Sequence, residues 1–440
     1  MNRKHLNSIH VNHNKNTEKC STEIMPVPDK VYISMSQHIG APCKPLVAKG
    51  DEVKVGQVIG DSDAFVSAPI HSSVSGKVVG IEEARSAAGG VDQLVVIETD
   101  KKQEVAETVK PPVVSGKEDF IKAVRDSGLV GLGGASFPTH VKYNPKNLDE
   151  VDTLIVNAAE CEPFITSDHR LMLEDTRNII DGILTVMKYL DLKKAYIGVE
   201  SNKPDAIEKL KEEITKSGHP EIEVITLRSR YPQGAERVMI YEITGKHMDA
   251  GVLPAQLGII LSNVTSIAFI GEYFKTGMPL IAKRITVDGD AVNSPKNIIV
   301  PIGTKIYDII NFCGGYKSEP KKIIMGGPMM GRAIFSDNLP LIKNNNAILA
   351  FTKDKADIQM ETQCINCGRC HHACPFKLMP TALSNAMEQR DADRLKKLKV
   401  MSCMECGSCA YVCPAKRPLG FNNKLEKAIL KEAERSLHEL

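Results

Sequence analysis

The sequence lacks an excess of charge of either sign, because 56 lysines and arginines are balanced by 54 aspartates and glutamates. This balance argues against a chain-wide nucleic-acid footprint and against a polybasic membrane anchor. A signal peptide is also missing, since the first 20 residues contain no apolar core. The longest uncharged stretch, 250–271, holds Pro254, Gln256 and Asn263, whereas a membrane-spanning helix needs about 20 predominantly apolar residues. We therefore predict no transmembrane segment in this sequence.

What the sequence does contain is enough material for several cores. Its 440 residues predict about three domains at roughly 100–200 residues each. Apolar residues make up 42% and charged residues 25%, close to globular averages, which excludes bulk disorder. Eight of the 12 cysteines lie in the last 77 residues. In a cytosolic chain this crowding favours metal binding over disulfides.

The first part of the chain is predicted to be a tail followed by a small β domain. Residues 1–25 are polar and rich in Asn, Lys and His, which predicts a flexible tail. Residues 26–100 form short strand patterns with frequent Gly and Pro, typical of a small sandwich or barrel. They resemble the biotinyl- and lipoyl-carrier fold, the barrel-sandwich hybrid. A carrier needs a lysine at its hairpin tip, yet none occurs between Gln57 and Gly76, so a swinging arm is not predicted.

The rest of the chain predicts three further domains, making a multidomain α/β protein. Residues 115–280 alternate apolar strands with amphipathic helices, which implies a parallel sheet with ligands at the carboxyl ends of its strands. Residues 281–350 return to short strands with one helix at 306–312 and predict a small β-grasp-like (SLBB) domain. Residues 351–440 predict a helical two-cluster ferredoxin domain. Within 115–280 we predict helices at 118–127, 169–190 and 204–217, and strands at 153–158, 195–199 and 222–227.

Two cysteine runs carry the strongest signal. Each has the spacing C-x₂-C-x₂-C-x₃-C followed by proline, and the second run begins 39 residues after the first. In two-cluster ferredoxins the fourth cysteine of such a run ligates the other [4Fe–4S] cluster. Zinc usually takes its four ligands in two pairs and has no use for this repeated spacing. The predicted ligand sets are Cys364, Cys367 and Cys370 with Cys413, and Cys403, Cys406 and Cys409 with Cys374.

A glycine-rich loop precedes the first predicted strand of the sheet. Gly131, Gly133 and Gly134 would allow the backbone to approach a phosphate. A dinucleotide-binding Rossmann loop follows a strand and opens a helix, whereas this loop follows a helical segment, so a plain Rossmann site is disfavoured. A simple turn that needs glycine is the alternative.

Two more loops lie at the predicted carboxyl edge. Asn157, Glu160 and Glu162 follow the strand at 153–158. The acids could cap the helix that begins near Asp168, or they could hydrogen-bond a flavin ring or a ribose. The third loop, 231–236, follows the strand at 222–227.

These loops, with 261–266, resemble the NADH-binding flavoprotein of respiratory complex I. The resemblance implies that the glycine loop and Lys142 hold the FMN phosphate, and that Asn157, Glu160 and Asn263 contact the flavin. It implies that Phe137 stacks on the dinucleotide and that Glu162 lies beside its nicotinamide end. The third loop would contribute Tyr231, Gly234 and Glu236. This sequence departs from the family pattern at Ser136, His140, Ala159 and Ala235.

The domain order resembles the RnfC family, a component of the Rnf complex, which is an ion-translocating ferredoxin:NAD⁺ oxidoreductase. This resemblance implies a peripheral electron-transfer protein on the cytoplasmic face of the cell membrane, with other Rnf-type subunits as partners and ferredoxin as an indirect one. The implied cofactors are two [4Fe–4S] clusters and FMN, with NAD(H) as substrate. A cofactor that takes up electrons both singly and in pairs is needed to connect clusters with nicotinamide. The alternatives are the cobalamin reductase of bacterial microcompartments and a non-catalytic electron wire or scaffold.

Overall fold

The computed structural model describes residues 5–357 and 359–438. Residues 5–25 are packed against the rest of the chain, so the prediction of a flexible tail is wrong for them; residues 1–4 lie outside the described ranges. Ile9 exchanges two backbone hydrogen bonds with Tyr231, of 2.8 and 3.0 Å. Strand β1 (Thr22–Ile24) pairs in parallel with residues 297–299. Polar composition misled the prediction because polar groups here, such as the fully buried Thr17, are hydrogen-bonded to other domains.

The next domain is a β sandwich, as predicted. Its core is formed by fully buried side chains that include Val31, Ile33, Ile59 and Ile97. The strands form two antiparallel sheets, of order β2-β8-β7-β4 and β3-β5-β6. These are β2 (Lys30–Ser34), β3 (Lys44–Pro45), β4 (Glu52–Val53), β5 (Val58–Asp61), β6 (Ile70–His71), β7 (Gly76–Arg85) and β8 (Val91–Thr99).

The central domain is built on a parallel four-stranded sheet of order β11-β10-β9-β12. Its strands are β9 (Thr153–Ala158), β10 (Lys194–Glu200), β11 (Ile222–Leu227) and β12 (Ile259–Asn263). Its helices are α1 (Lys117–Asp126), α2 (Thr139–Lys142), α3 (Ser167–Glu174), α4 (Thr176–Leu190), α5 (Pro204–Ser217), α6 (Glu236–Thr244) and α7 (Val264–Thr276).

The single helix predicted at 169–190 is wrong, because the chain breaks between α3 and α4 at Asp175 (φ −123°, ψ 30°). The break places two carboxylates, Glu174 and Asp175, on the buried guanidinium of Arg284 from the following domain. The side chain of Arg284 is only 8% exposed, so these partners offset the cost of burying its charge. An interdomain ion pair thus overrides the local helical pattern.

Helices α4 and α7 pack against each other through two glycines. A Cβ on Gly182 would lie 2.0 Å from the carbonyl oxygen of Ile267, and one on Gly271 would lie 2.2 Å from that of Asn178. Neither position tolerates a side chain, so this close packing fixes α7, and with it the end of β12, against the sheet.

The third domain is a mixed sheet of order β1-β14-β13-β17-β15-β16 with one helix. That helix, α8 (Ile306–Phe312), lies where the sequence predicts it. The strand β1 comes from the N-terminal segment, which ties the start of the chain to this domain. The strands are β13 (Ala282–Asp288), β14 (Lys296–Pro301), β15 (Lys322–Met325), β16 (Arg332–Ile334) and β17 (Ala347–Phe351).

The last domain is helical, as predicted, and packs around a small core that includes Leu383, Leu395 and Val400. None of the helices in the described ranges is both long and apolar enough to cross a bilayer. The helices are α9 (Lys353–Ala356), α10 (Arg369–Ala373), α11 (Pro380–Glu388), α12 (Ala392–Lys397), α13 (Ser408–Tyr411) and α14 (Leu419–His438).

Candidate functional site

The carboxyl edge of the parallel sheet has a switch point between β9 and β12. From β9 the chain builds outward through β10 and β11 and then returns to form β12 on the other side of β9. In open α/β sheets a ligand crevice forms where the strand order reverses in this way. The loops that follow β9 and β12 are therefore at the expected position of a site.

The glycine loop is anchored over this switch point. It is closed by a hydrogen bond of 2.9 Å from the N–H of Gly131 to the carbonyl of Phe137. The N–H of Leu132 donates to the hydroxyl of Ser266 on α7, at 3.2 Å. Phe137 itself is half-buried, which leaves part of its ring accessible. Its predicted stacking on a dinucleotide stays a prediction.

The tip of the loop approaches the end of β12. A Cβ on Gly133 would lie 2.7 Å from the amide nitrogen of Asn263, whereas one on Gly134 would meet nothing within 4 Å. Both glycines are exposed, and no described residue accepts a hydrogen bond from their backbone N–H groups. Free backbone donors of this kind bind phosphate groups.

Asn263 connects the loop tip with two helix N-termini. Its side-chain oxygen accepts the N–H of Thr265 (2.9 Å) and caps α7. Its amide nitrogen donates to the carboxylate of Asp168 in the first turn of α3, at 2.9 Å. Thr265 donates its hydroxyl to the other oxygen of Asp168, at 2.6 Å. The ends of β9 and β12 are held together by this network.

Lys142, at the end of α2, reaches the same edge. Its ammonium donates to the carbonyl of Leu261 (2.9 Å) and lies 3.5 Å from the carboxylate of Glu236, the first residue of α6. Both side chains are about one-third exposed, and such ion pairs contribute only about 0–1 kcal/mol. The structure thus brings Lys142 and Glu236 together without burying either.

Asn157 and Gly234 join two of the predicted loops. The amide of Asn157 donates to the carbonyl of Gly234 at 2.8 Å, and its oxygen accepts the N–H of Ala159 at 3.2 Å. A Cβ on Gly234 would lie 2.6 Å from the carbonyl oxygen of Ala159. Gly234 is therefore needed for close packing, and its N–H donates to the sulfur of the buried Cys161, at 3.3 Å.

Glu160 acts as the cap that one interpretation of the sequence predicts. Its carboxylate accepts hydrogen bonds from the backbone N–H groups of Asp168 (2.7 Å) and His169 (3.3 Å) at the start of α3. Burial raises its pKa to about 7, although the nearby ammonium of Lys15 favours the charged form. A direct contact between Glu160 and flavin stays a prediction.

Glu162 is held by the third domain. Its carboxylate accepts the backbone N–H groups of Met329 (3.0 Å) and Met330 (2.8 Å), in the loop 326–331 between β15 and β16. A Cβ on Gly327 would lie 2.3 Å from one of its oxygens. Burial raises the pKa of Glu162 to about 7. Its predicted position beside a nicotinamide stays a prediction.

Tyr231 joins the sheet edge to the second cysteine run. Its side chain is fully buried, and its hydroxyl donates to the carbonyl of Cys406 at 2.7 Å. Next to it, Arg237 donates to the carbonyl of Ser402 (2.9 Å), and its guanidinium lies 3.8 Å from the ring centre of Phe376. The sheet domain and the cysteine domain therefore meet around the second run.

The two cysteine runs repeat in backbone conformation as well as in sequence. Each run places a residue with positive φ before its second cysteine, a glycine with positive φ after it, and a lysine with positive φ after its Pro. Such conformations are costly for residues other than glycine and cluster at functional sites. The pairs are Asn366 and Glu405 (φ 55° and 59°), Gly368 and Gly407 (72° and 76°), and Lys377 and Lys416 (53° each).

This backbone points amides at sulfur. The N–H of Asn366 donates to Cys364 (3.4 Å), and in the second run the N–H of Glu405 donates to Cys403 (3.3 Å). Leu378 likewise donates its N–H to Cys374 at 3.4 Å. Such hydrogen bonds to sulfur are among the features that set cluster potentials.

The fourth cysteine of each run lies near the other run. Burial raises the pKa of Cys374, and the neighbouring Cys406 raises it further. Burial also raises the pKa of Cys409, to which Cys406, Cys403 and Cys374 add. Correspondingly, burial raises the pKa of Cys370, with a further contribution from Cys413. Within the described residues no three His, Cys, Asp or Glu side chains are grouped so as to hold a single metal ion.

Sequence reasoning missed three parts of this site: Cys161, the loop 326–331 and Lys15. The Gly326-Gly327-Pro328 start of the loop is a turn signal that could have drawn attention to it. Lys15 lies 145 residues before Glu160, whose carbonyl it contacts, and no local pattern reveals such a contact.

Four family models match the chain in the predicted order. They are the RnfC barrel sandwich hybrid domain at 4–102, the Nuo51 FMN-binding domain at 124–272, the SLBB domain at 284–333 and the 4Fe-4S dicluster domain at 356–414. The predicted architecture is thereby confirmed.

Whole-chain relatives decide the family, and each is the component designated C of its complex. The chain is 46% identical over 374 residues to that of the proton-translocating ferredoxin:NAD(+) oxidoreductase complex of Clostridium ljungdahlii, covering 84% of this chain and 81% of that protein. It is 44% identical over 395 residues to that of the Na(+)-translocating ferredoxin:NAD(+) oxidoreductase complex of Acetobacterium woodii, covering 89% of each. The counterpart in the ion-translocating oxidoreductase complex of Rhodobacter capsulatus is 36% identical, over 97% of this chain and 83% of that protein. The chain belongs to this RnfC family.

Membership of the RnfC family confirms the resemblance and makes the chain an electron-transfer subunit with an FMN-binding and a 4Fe-4S domain. Its fold is also similar to that of a crystal structure of NAD+-reducing [NiFe]-hydrogenase in the air-oxidized state. That likeness has a TM-score of 0.53 at 17% identity and covers 71% of this chain and 63% of that one.

Proposed function

We propose that this RnfC-family protein carries electrons between two [4Fe–4S] clusters and an FMN at the carboxyl edge of the sheet, and that NAD(H) exchanges hydride there. It acts as a peripheral subunit on the cytoplasmic face of a membrane complex that oxidises or reduces ferredoxin. The single observation that carries the proposal is the hydrogen bond from Tyr231, in a loop of the sheet edge, to Cys406 in the second cysteine run.

The residues at the sheet edge fit FMN. Gly133 and Gly134 present free backbone N–H groups to a phosphate, and Lys142 supplies a partly exposed cation nearby. Asn263 fixes the loop tip against β12. When bound, FMN connects two-electron hydride chemistry with single-electron transfer. The chain's contribution is to bind this group, orient it and keep its surroundings rigid.

The eight cysteines fit two clusters with crossed ligands. Supporting this are the repeated positive-φ positions and the placement of Cys374 beside the second run and of Cys413 beside Cys370. Thiolates are the usual ligands of [4Fe–4S] clusters, and the fourth cysteine of such a run ligates the other cluster. Clusters with the sets predicted from the sequence are therefore proposed.

The contacts support an order for the two clusters. Those of Tyr231 and Arg237 reach the carbonyls of Cys406 and Ser402, at the second run. Met329, beside Glu162, packs in the same buried group as Tyr231 and Cys406. The cluster of the second run is thus proposed to exchange electrons directly with the flavin.

The first run is proposed to face the partner. Cys367 is exposed, as are its neighbours Met360 (87%) and Ile365 (67%). A cluster at this surface would receive electrons from another subunit of the complex. The names of the relatives, which are ferredoxin:NAD(+) oxidoreductase subunits, support ferredoxin as the ultimate donor or acceptor.

Anaerobically purified protein tests the proposal. We expect about one FMN and eight irons per chain, and rapid bleaching of the iron–sulfur absorbance on mixing with NADH. Replacing Tyr231 by phenylalanine, which removes only the hydroxyl, should slow that bleaching while both cofactors remain. Arg230→Lys, which changes the neighbouring side chain, serves as the control.

Two results would contradict the proposal. Protein that holds both clusters but binds no FMN would support the passive electron wire instead. Protein that holds all cofactors but whose clusters NADH does not reduce would remove the nicotinamide site from this chain.

A further inference from the structure

The N-terminal strap, which we define as residues 9–17, crosses the acidic loop, residues 157–166. The carbonyl of His13 accepts the N–H of Phe164 at 2.9 Å. Thr17 is fully buried and hydrogen-bonded to Thr166 at the end of the loop. Ile9, at the other end of the strap, is paired with Tyr231. The strap is therefore fixed on both sides of the loop.

At the centre of the strap, Lys15 binds the loop backbone. Its ammonium donates to the carbonyls of Glu160 (2.9 Å), Glu162 (2.9 Å) and Ile165. A lysine ammonium has three donors and no acceptor, so the three carbonyls satisfy it completely. Conversely, these carbonyls would be left without this partner if Lys15 were absent, and buried carbonyls require partners.

Lys15 also offsets a buried negative charge. The carboxylate of Glu160 is buried at the start of α3 and interacts with the charges of Lys15 and Lys203. Lys203 is already paired with the buried carboxylate of Glu200, at 2.9 Å. Lys15 is thus the cation left to balance Glu160.

We infer that Lys15 is a positioning residue for the flavin site, supplied by the N-terminal strap. By holding three carbonyls of one loop on a single cation, it sets the loop shape in which Asn157 reaches Gly234 and Glu160 caps α3. The inference rests on the proposed function, because the loop is taken to border FMN. Lys15 acts through the loop and is not assigned a contact with any cofactor.

The test compares Lys15→Met with Lys19→Met in the full chain carrying its clusters. Lys19 lies on the same segment but is exposed, so its loss serves as a matched control. We expect the FMN dissociation constant of Lys15→Met to rise about tenfold or more, given the three charged hydrogen bonds lost, while iron content and melting temperature stay near those of the parent. Lys19→Met should bind FMN like the parent. A merely structural role would instead lower the melting temperature and leave FMN affinity of the folded fraction unchanged.

Chemical rescue provides the second measurement. In Lys15→Ala, propylammonium ions should restore FMN affinity, whereas 1-propanol, which has similar size and no charge, should not. If Lys15→Met fails to fold, this rescue alone decides, and its failure overturns the inference. Parent-like FMN affinity in Lys15→Met also overturns it. A parent chain that binds no FMN at all overturns the proposed function instead, and the inference with it.

Discussion

Gly133→Ala tests the contact that joins the glycine loop to β12. The added Cβ would lie 2.7 Å from the amide nitrogen of Asn263, 2.8 Å from its Cγ and 3.0 Å from its Cβ. Because its own Cβ is among the crowded atoms, rotation of the Asn263 side chain does not relieve the contact. We therefore expect the alanine to push Asn263 away from both of its partners.

The magnitude follows from those two partners. Loss of the cap on α7 costs typically about 1 kcal/mol. Loss of the hydrogen bond to the carboxylate of Asp168 costs about 1.5–3 kcal/mol. The variant should therefore lose about 2–4 kcal/mol, which corresponds to about 4–16 °C in the melting temperature of a cooperative unit of 150–250 residues. FMN affinity should fall as well, since the loop moves.

Calorimetry of the holo protein measures the shift, with Gly134→Ala as the matched control. A Cβ on Gly134 meets nothing within 4 Å, so this variant should melt like the parent. In a double-mutant cycle with Asn263→Ala, the cost of Gly133→Ala should largely vanish, because the residue it displaces is already gone. A Gly133→Ala variant as stable as Gly134→Ala, or costs that add in full, would refute the reasoning.

Three further predictions concern other parts of the molecule. Phe137→Ala should raise the KM for NADH with ferricyanide as acceptor while flavin content and melting temperature stay near the parent values; an unchanged saturation curve rules out the stacking role. Cys413→Ala should damage the cluster of the first run, seen by electron paramagnetic resonance, and loss confined to the second run's cluster contradicts the crossing. Burial raises the pKa of Glu426 to about 7 from 4.5, so its contribution to stability falls as the pH rises from about 4.5 to 7. Glu426→Gln should therefore melt progressively higher than the parent over that range and keep the advantage at pH 8; equal melting temperatures at pH 8 count against it.

Local patterns predicted the parts of the fold that local physics determines. Strands at 153–158 and 222–227 and the helix at 204–217 match β9, β11 and α5 residue for residue. Each is a segment whose apolar residues repeat at the period of a single element and face one core. The spacing of the cysteines is of the same kind, because the ligands of each run are close in sequence.

Contacts between domains were not predictable in this way. Glu162 stood in a motif that pointed to a nicotinamide, but its carboxylate is bound by backbone amides 167 and 168 residues further along the chain. Lys15 was assigned to a mobile tail because its neighbours are polar. Polar composition does not distinguish a solvated segment from one whose polar groups are satisfied by another domain.

The crossing of the fourth cysteines has a consequence for the order in which the clusters are built. The second run's set, with Cys374, is complete once the ribosome has made Cys409. The first run's set waits for Cys413, although its other three thiols are made earliest. A chain emerging from the ribosome thus presents first the four thiols next to the flavin domain, and last those of the exposed surface. Iron delivered during synthesis would fill the inner site before the outer one, so that a shortage of iron leaves the chain unable to accept electrons from its partner while the flavin end is already equipped.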